Sequence, residues 1–332
     1  MSHLAYGLIN LIGRTPLIRL QKVSELTGCE IYAKAEFLNP GGSVKDRTAW
    51  GIVRDALNRK TLKPGGRIVE GTAGNTGIGL TLVANALGLK TTIVMPETQS
   101  DEKKESLRLL GAELELVPAV SLADENHYTK VSQRLAEHYA AKDGNTIWAD
   151  QFNNQANRTI HEETTGKEIW YQTEGKVDAF CCAVGTGGTL AGVSQALRRY
   201  KPEIKIFLTD PMGASLFHYY THGQLESEGS SVMEGIGQSR VTGNLEGFMP
   251  DGAFQIPDEE AMYYVFSLLK EEGLAVGGSS GINVAGAVRV AEDLGAGHTI
   301  VTVLCDIAAR YQSKLFNPAF LHSKKLPVPD WL

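Results

Sequence analysis

The chain has 332 residues with a formal net charge of −6, and 42% of its residues are hydrophobic and 21% charged. This length allows one large or two medium domains, and this composition is typical of a soluble globular protein. The negative charge and the scattered basic residues argue against a nucleic-acid-binding or membrane-surface protein. No apolar run reaches the ~18 residues of a membrane span, and the start lacks the features of a signal peptide, so we expect a cytoplasmic protein.

Short β-rich segments alternate with helical segments along most of the chain. The first helix is predicted over residues 48–57 (TAWGIVRDAL). The predicted strands that follow are residues 67–71, 90–96, 112–118, 177–184, 205–211 and 298–306, and the predicted helices are residues 75–88, 101–111, 123–140 and 188–200. Such alternation predicts parallel sheets that are covered by helices on both faces.

Polar residues interrupt this alternation at 150–166, which indicates a domain boundary. We therefore predict an α/β protein of two α/β domains with mostly parallel sheets, an N-terminal domain of residues 1–154 and a C-terminal domain of residues 155–332. Residues 17–38 are expected to cross to the C-terminal domain. Because α/β folds bind ligands at the carboxyl ends of their strands, we expect the ligand in the cleft between the two domains.

The cysteines show no CxxC spacing and no pattern of metal ligands. They are Cys29, Cys181, Cys182 and Cys305. We interpret them as reduced, buried thiols and expect no metal site.

A glycine-rich loop, Gly185-Thr186-Gly187-Gly188-Thr189, joins a predicted strand to a predicted helix. Successive glycines let backbone N–H groups converge on one point, and the helix N-terminus adds about half a positive charge there. The two threonine hydroxyls add further donors. A tight turn alone would explain one glycine but not three, so we predict a phosphate-binding cup.

The usual nucleotide motifs do not fit this cup. The third glycine of a Rossmann GxGxxG is replaced by Leu190, and no GxxxxGK[ST] occurs in the chain. A second loop, residues 71–77 (GTAGNTG), offers N–H groups, two hydroxyls and an amide but no charge. That set of donors suits an amino-acid carboxylate.

Lys45 follows two glycines and a serine in the segment NPGGSVKDR, residues 39–47, where a helix begins. The simple alternative is a solvated loop that leads into a helix. A lysine on a glycine turn, a phosphate cup and a neutral carboxylate loop are together what pyridoxal 5'-phosphate requires. The chain is therefore predicted to bind this cofactor through Lys45.

Six segments carry a resemblance to one family, and they occur in the family's order. They are residues 39–47 (NPGGSVKDR), 71–80 (GTAGNTGIGL), 160–170 (IHEETTGKEIW), 183–193 (AVGTGGTLAGV), 234–240 (EGIGQSR) and 277–287 (GGSSGINVAGA). With them the chain resembles the cysteine synthase/cystathionine β-synthase family, fold type II of the pyridoxal-phosphate enzymes, from about residue 8 to residue 316.

The resemblance implies a role for each matching residue. Lys45 would be the Schiff-base lysine, Asn75 would lie beside the phenolic oxygen of the cofactor, and Gly185 to Thr189 would bind its phosphate. Thr72, Thr76 and Gln151 would bind the substrate carboxylate, and Ala73 and Gly74 would also bind the substrate. The glycines Gly235 to Gly237 would lie against the edge of the cofactor. A homodimer that acts on a small amino acid and sulfide is also implied.

Two residues depart from the family's pattern. Ala73 replaces the usual serine of the substrate loop, which removes a hydroxyl worth about 0.5–1.5 kcal/mol as a net hydrogen bond. Asp306 replaces the serine that usually lies near the pyridine nitrogen, where a carboxylate would favour a protonated ring. Alternatively, Asp306 turns away to cap a helix or to pair with Arg310, and the sequence leaves both arrangements open.

The resemblance implies β-replacement on a 3-substituted L-alanine through an aminoacrylate intermediate. The leading prediction is cysteine synthase, which converts O-acetyl-L-serine and sulfide to L-cysteine and acetate. The alternative is an L-cysteine desulfhydrase, which the departures at Ala73 and Asp306 would suit. Two other classes are a catalytically silent relative and a hydrolase, since residues 277–281 satisfy GxSxG but no histidine follows in a convincing position.

Overall fold

The computed structural model describes residues 7–72 and 74–332. Its contacts divide the chain into two compact units. The first contains the chain up to Gly13 together with Asn39–Ile160, and the second contains Arg14–Leu38 and His161–Leu332. Within the described residues, no helix is both long enough and apolar enough to cross a membrane.

The described residues form ten β-strands and twelve α-helices. The strands are β1 (Leu17–Arg19), β2 (Glu30–Ala35), β3 (Arg67–Gly71), β4 (Lys90–Pro96), β5 (Glu113–Val117), β6 (Thr146–Trp148), β7 (Ala179–Ala183), β8 (Lys205–Pro211), β9 (Gly252–Ile256) and β10 (Thr299–Leu304). The helices are α1 (Gln21–Thr27), α2 (Lys45–Asn58), α3 (Asn75–Leu87), α4 (Asp101–Leu109), α5 (Tyr128–Asp143), α6 (Ala156–Ile160), α7 (Lys167–Gln172), α8 (Gly188–Tyr200), α9 (Leu216–His222), α10 (Asp258–Glu272), α11 (Gly278–Leu294) and α12 (Pro318–Ser323). A π-helical turn, His161–Gly166, follows α6 directly.

The sheet of the first unit has four parallel strands in the order β5-β4-β3-β6. Successive side chains of a strand point to opposite faces. Ile68 of β3 packs with Ile52 of α2 and Leu80 of α3, whereas its neighbour Val69 packs with Ala136 of α5. Both faces of the sheet are therefore covered by helices, as a parallel sheet requires.

The sheet of the second unit has six strands in the order β1-β2-β10-β7-β8-β9. Its edge strand β1 is antiparallel to β2, and the other neighbours are parallel. Phe180 of β7 packs with Leu190 of α8, and the next residue, Cys181, packs with Ile282 of α11 on the other face. The predicted α/β class with mostly parallel sheets is confirmed.

Most predicted elements agree closely with those of the structure. Predicted bounds and observed bounds coincide for the strands over residues 67–71, 90–96 and 205–211 and for the helix over residues 188–200. The strands predicted over residues 112–118, 177–184 and 298–306 are shorter at their ends. Terminal residues are the least certain part of any such prediction, because strand ends depend on the neighbouring strand and not on local pattern alone.

The helix predicted over residues 123–140 was placed too early. It is α5, and the ring of His127 caps it by accepting a hydrogen bond from the N–H of Thr129. It ends at Asp143 and is followed by the cap residue Gly144, which has a left-handed φ of 61°. The preceding residues form turns, because their polar side chains supply no apolar face that could pack on the sheet.

The helix α11 packs against β8 at Gly286, and the contact is close because glycine has no side chain. A Cβ atom at this position would overlap the Cγ2 of Thr209, which is fully buried. We expect Gly286→Ala to lower the free energy of unfolding by about 1–3 kcal/mol, because overpacking outweighs the better helix propensity of alanine. The shift of the urea unfolding midpoint measures this loss.

The matched control is the same change in a Thr209→Ser background, which lacks the Cγ2. There, Gly286→Ala should lower stability much less than it does in the wild-type background. An equal loss in both backgrounds would contradict this account of the contact.

Candidate active site

Lys45 is the first residue of α2, and a tight turn precedes it. Gly42 has a left-handed φ of 71°, and its N–H donates to the carbonyl of Asn39. The N–H of Gly41 donates to Oδ2 of buried Asp46 at 2.5 Å, and a Cβ at Gly41 would collide with that carboxylate. Both glycines are therefore required, one by its backbone conformation and the other by close approach.

The neighbouring helix α3 crosses α2 at the same point. A Cβ at Gly79 would lie 3.1 Å from the carbonyl oxygen of Lys45 and 3.2 Å from the Cβ of Ala49, so a side chain there would require the two helices to separate slightly. The Lys45 side chain is half-buried, and among the described residues its ammonium group has no hydrogen-bond or ion-pair partner. The amine is thus held by a fixed backbone and remains available to react.

The predicted substrate loop connects β3 to α3. Thr72 and Thr76 are buried, Asn75 begins α3, and the N–H of Gly74 lies 3.3 Å from the hydroxyl oxygen of Thr72. The N–H groups of the first helical turn have no acceptor within the helix, so this loop can bind a carboxylate without a charged side chain. Ala73 lies outside the described residues, and its predicted effect stays a prediction.

Gln151 follows β6, which is the parallel neighbour of β3. It accepts a hydrogen bond at Oε1 from the Thr76 hydroxyl, at 2.6 Å, and donates one from Nε2 to Oε1 of Glu70, at 2.9 Å. Its backbone carbonyl accepts from Asn157, which in turn accepts from Thr48 of α2, both at 2.9 Å. The structure thus brings Thr76 and Gln151 together and ties them to the helix that begins at Lys45.

Sequence reasoning did not identify Glu70. This residue is 1% exposed, and burial raises the pKa of its carboxyl group to about 8. The Asp150 carboxylate acts in the same direction, whereas the hydrogen bonds from Gln151 lower the pKa. The available signal was a carboxylate that follows two apolar strand residues, Ile68 and Val69, directly before the glycine loop.

The predicted phosphate cup lies between β7 and α8. Gly187 has a left-handed φ of 87°, and a Cβ there would lie 2.6 Å from the side chain of Leu245. The carbonyl of Thr186 accepts a hydrogen bond from the Thr242 hydroxyl at 2.8 Å. Contacts from residues outside the turn therefore hold it, and the first N–H groups of the 13-residue helix α8 have no acceptor within the helix, so they could bind an anion.

His161 supports this cup and was also missed by sequence reasoning. It is fully buried in the π-helical turn. Its Nδ1 lies 2.9 Å from the hydroxyl of Thr165, and its Nε2 lies 3.3 Å from the hydroxyl of Thr189. Short π-helical insertions are frequent at functional sites. The motif HEETTG at residues 161–166 was noted as part of the resemblance, but its contact with the cup could not be read from spacing.

The loop that contains Gly235 and Gly237 returns to the start of the cup. The N–H of Gly237 donates to the carbonyl of Val184 at 3.0 Å, and both glycines have left-handed φ angles, 78° and 84°. Glu234, next to them, forms an ion pair with Lys314. These glycines therefore lie at the carboxyl end of β7, as the cup does.

Asp306 follows β10 and is 1% exposed. Its Oδ2 accepts a hydrogen bond from the Tyr311 hydroxyl at 2.5 Å, and its carbonyl accepts from the N–H of Gly277. Burial, and then the Asp306 carboxylate, raise the pKa of Tyr311 well above its ordinary value. The position of Asp306 near the pyridine nitrogen stays a prediction.

The GxSxG segment does not form a nucleophile elbow. Such an elbow needs a strand before the serine, but Ser279 lies near the start of α11 and is preceded by a single bridging residue, Val276. In residues 7–72 and 74–332, no histidine donates to or accepts from the Ser279 hydroxyl. The geometry does not favour a hydrolase.

The donor sets fit pyridoxal phosphate. The glycine turn at Gly187 would be filled by any side chain, and it opens onto a helix N-terminus that suits a phosphate. The half-buried amine of Lys45 suits an aldehyde, and the uncharged loop from Thr72 to Thr76 suits the carboxylate of an amino acid.

Comparisons with known proteins agree with this assignment. A family model described as "Pyridoxal-phosphate dependent enzyme" matches residues 8–306. The chain is 52% identical to cysteine synthase 1 of Neurospora crassa over 99% of this chain and 88% of that protein.

Two solved structures have the same fold. The crystal structure of O-ureido-L-serine synthase superposes with a TM-score of 0.84 at 35% identity, over 95% of this chain and 96% of that one. The O-acetylserine dependent cystathionine beta-synthase from Helicobacter pylori has a TM-score of 0.84 at 34% identity, over 94% of this chain and 99% of that one. The predicted family, fold type and cofactor are confirmed, and the chain belongs to the family of pyridoxal-phosphate dependent enzymes.

Proposed function

We propose that the protein is a cysteine synthase, which converts O-acetyl-L-serine and sulfide to L-cysteine and acetate by β-replacement. The observation that carries this proposal is the 52% identity to a cysteine synthase over 99% of the chain. The two solved structures are named for different products, so the fold alone does not decide which nucleophile is used.

Pyridoxal phosphate, when bound, supplies the electron sink that makes the α-proton of an amino acid acidic and its β-substituent a leaving group. Lys45 would hold the cofactor through Nζ. With the amino acid bound, the same Nζ would accept the α-proton. Positioned base catalysis of this kind contributes about 10²–10⁴-fold to the rate.

The substrate carboxylate is bound by the loop at Thr72, Gly74 and Thr76, with Gln151 beside it. The hydrogen bond of 2.6 Å between Thr76 and Gln151 supports this role, because it holds the two side chains next to each other at the loop. Groups that are already in place lose little entropy on binding and orient the α-carbon toward Lys45.

Cofactor binding is assigned to three further places. Gly185 to Thr189 would bind the phosphate, Asn75 would donate to the ring oxygen, and Gly235 would lie at the ring edge. Asp306 would lie near the pyridine nitrogen. The hydrogen bond of Thr186 with Thr242 and the contact of Thr189 with His161 support the cup, because they fix it in shape.

The alternative function is cysteine desulfhydration to sulfide, pyruvate and ammonia. The relatives named above are synthases, and this favours replacement over elimination. The departures at Ala73 and Asp306 that suggested elimination carry less weight than identity over the whole chain.

The compartment, the assembly and the domains are further proposals. The cytoplasm suits the four free cysteines, because thiols stay reduced there. We also propose a homodimer, sulfide as the second substrate, and a division of labour in which residues 1–154 carry the substrate loop and residues 155–332 carry the phosphate cup.

Lys45→Ala should abolish covalent attachment of the cofactor and nearly all turnover, because no other residue replaces the amine. Wild type should be yellow, and borohydride should bleach it and label Lys45, as peptide mass mapping would show. Lys142→Ala, on the exposed end of α5, is the control and should behave as wild type. A label on another lysine, or unchanged labelling in Lys45→Ala, would refute this assignment.

Thr189→Val should weaken cofactor binding without loss of fold, because it removes one hydroxyl donor and keeps the shape. A net hydrogen bond to a charged group is worth about 1.5–3 kcal/mol, so the Kd for pyridoxal phosphate should rise at least about tenfold. Equilibrium dialysis of the cofactor-free protein measures this. The matched control is Thr221→Val on exposed α9, and equal Kd values for both variants would count against the cup.

The synthase assignment predicts that kcat/KM for O-acetylserine with sulfide exceeds kcat/KM for elimination of cysteine alone. A synthase must keep its product from being broken down, so we expect a ratio of at least about tenfold, or ~1.4 kcal/mol between the barriers. Asp306→Ser should lower cysteine elimination more than O-acetylserine consumption, because acetate leaves more easily than a thiolate. Faster sulfide release than synthesis in wild type would support the desulfhydrase instead.

A further inference from the structure

A chain of buried hydrogen bonds runs from the predicted substrate loop into the first unit. Thr76, Gln151 and Glu70 are 2%, 4% and 1% exposed. The Thr76 hydroxyl donates to Oε1 of Gln151 at 2.6 Å, and Nε2 of Gln151 donates to Oε1 of Glu70 at 2.9 Å. Thr76 is at the substrate end of this chain, and Glu70 is at the far end.

The direction of this chain decides what Thr76 can offer a ligand. A primary amide has one donor end and one acceptor end, and a half-turn of the Gln151 side chain exchanges them. In the order of the structure, the hydrogen of Thr76 is directed at Gln151. In the opposite order, Nε2 donates to Thr76 and the hydroxyl hydrogen of Thr76 is available to a carboxylate.

The opposite order requires a donor at the position of Glu70. Oε1 of Gln151 would then face the Glu70 carboxyl group, and two acceptors cannot share a hydrogen bond unless one of them carries a proton. Nε2 of Gln151 also lies 3.5 Å from the carbonyl oxygen of Gly71, and this weak contact favours the order in the structure. Binding of a carboxylate would have to contribute the free energy that turns Gln151 into the opposite order.

The surroundings of Glu70 favour the protonated form. Its Oε2 is buried and has no hydrogen-bond partner among the described residues, so a negative charge there would be poorly solvated. Burial raises the pKa of Glu70 to about 8 and the Asp150 carboxylate acts in the same direction, whereas the hydrogen bonds from the Gln151 side chain and from the backbone of Gln151 and Asp150 lower it. The elements around β3 also carry Asp46 and Arg47 on α2 and Lys103 on α4, but Asp150 is the charged residue that acts on the pKa of Glu70.

We propose that Glu70 is a positioning residue, which in its protonated form donates to Gln151, so that Gln151 donates to Thr76 and Thr76 donates to the substrate carboxylate. This inference rests on the proposed function in one respect, namely that the loop at Thr72 to Thr76 binds the carboxylate of an amino acid. Glu70 itself touches neither substrate nor cofactor.

The consequence is a loss of amino-acid affinity at alkaline pH. When Glu70 ionises, only the order with Thr76 directed at Gln151 remains, and the binding-competent fraction falls. The apparent dissociation constant equals the intrinsic value divided by that fraction, so it should rise about tenfold one pH unit above the pKa of Glu70. Below that pKa it should be nearly constant.

The experiment measures the affinity of the holoenzyme for O-acetylserine without sulfide, from the change in cofactor absorbance, at pH values about one unit below and above 8. In Glu70→Gln the side chain is a permanent donor, so the alkaline rise due to Glu70 should disappear. In Glu70→Leu there is no donor, so affinity should be at least about tenfold weaker at both pH values. The control is Glu97→Gln, an exposed carboxylate just after β4, which should keep the wild-type profile.

A Thr76→Val background tests whether the effect passes through the hydroxyl. In that background Glu70→Gln should leave the pH profile unchanged, because the last donor is missing. If Glu70→Gln keeps the full alkaline rise of wild type, the role of Glu70 is overturned. Titration of the substrate amine or of the cofactor would weaken binding equally in wild type and in Glu70→Gln, so an alkaline rise shared by both proteins would have that origin.

Stability gives a readout that needs no substrate. Because the folded pKa of Glu70 is raised above its ordinary 4.5, the stability linked to its proton is fully present below pH 4.5 and is lost as the pH rises to about 8. The urea midpoint of Glu70→Gln should therefore rise relative to wild type across this window. A constant difference would overturn the proposal. Failure of wild type to turn over O-acetylserine with sulfide, while it still binds the amino acid, would instead count against the proposed second substrate alone.

Discussion

All four strands of the first unit run in one direction, and so the chain leaves each of them at the same edge of the sheet. Thr72 follows β3, and Gln151 follows the adjacent strand β6, so two residues far apart in sequence become neighbours. The second unit repeats this arrangement with Gly185 after β7 and Asp306 after β10. Parallel pairing thus assembles each half of the candidate chemistry before any side chain makes a specific contact.

Close contacts between backbone segments fix the position of the Lys45 backbone, whereas its side chain contributes little to this. The helix α2 begins at Lys45, Gly41 lets Asp46 bind the preceding turn, and Gly79 lets α3 cross without a gap. A reactive amine needs a rigid backbone and a mobile ammonium group. These contacts hold the backbone of Lys45 and do not involve its ammonium group. A side chain at Gly41 would displace the Asp46 carboxylate, and one at Gly79 would press on the backbone of Lys45 and Asp46.

Buried polar residues connect the loops to each unit's interior. Asn157 joins Thr48 of α2 to the backbone of Gln151, and His161 joins Thr165 to Thr189 of the cup. Each of these groups is costly to bury unless it is hydrogen-bonded, so the networks have few alternative arrangements. Glu70 is the exception, because its Oε2 is buried without a hydrogen bond within the described residues.

The sequence by itself determined the alternation of strands and helices, the bounds of β3, β4, β8 and α8, and the place of Lys45 at a helix start and of the glycine loop between a strand and a helix, because these follow from local apolar pattern and glycine placement. It misplaced the start of α5, where polar turn residues precede the cap at His127. Only the tertiary structure decided that Glu70 contacts Gln151, 81 residues away, and that His161 contacts Thr189. Such contacts depend on which strands are neighbours, and strand order is set by packing over the whole unit rather than by any short segment of the chain.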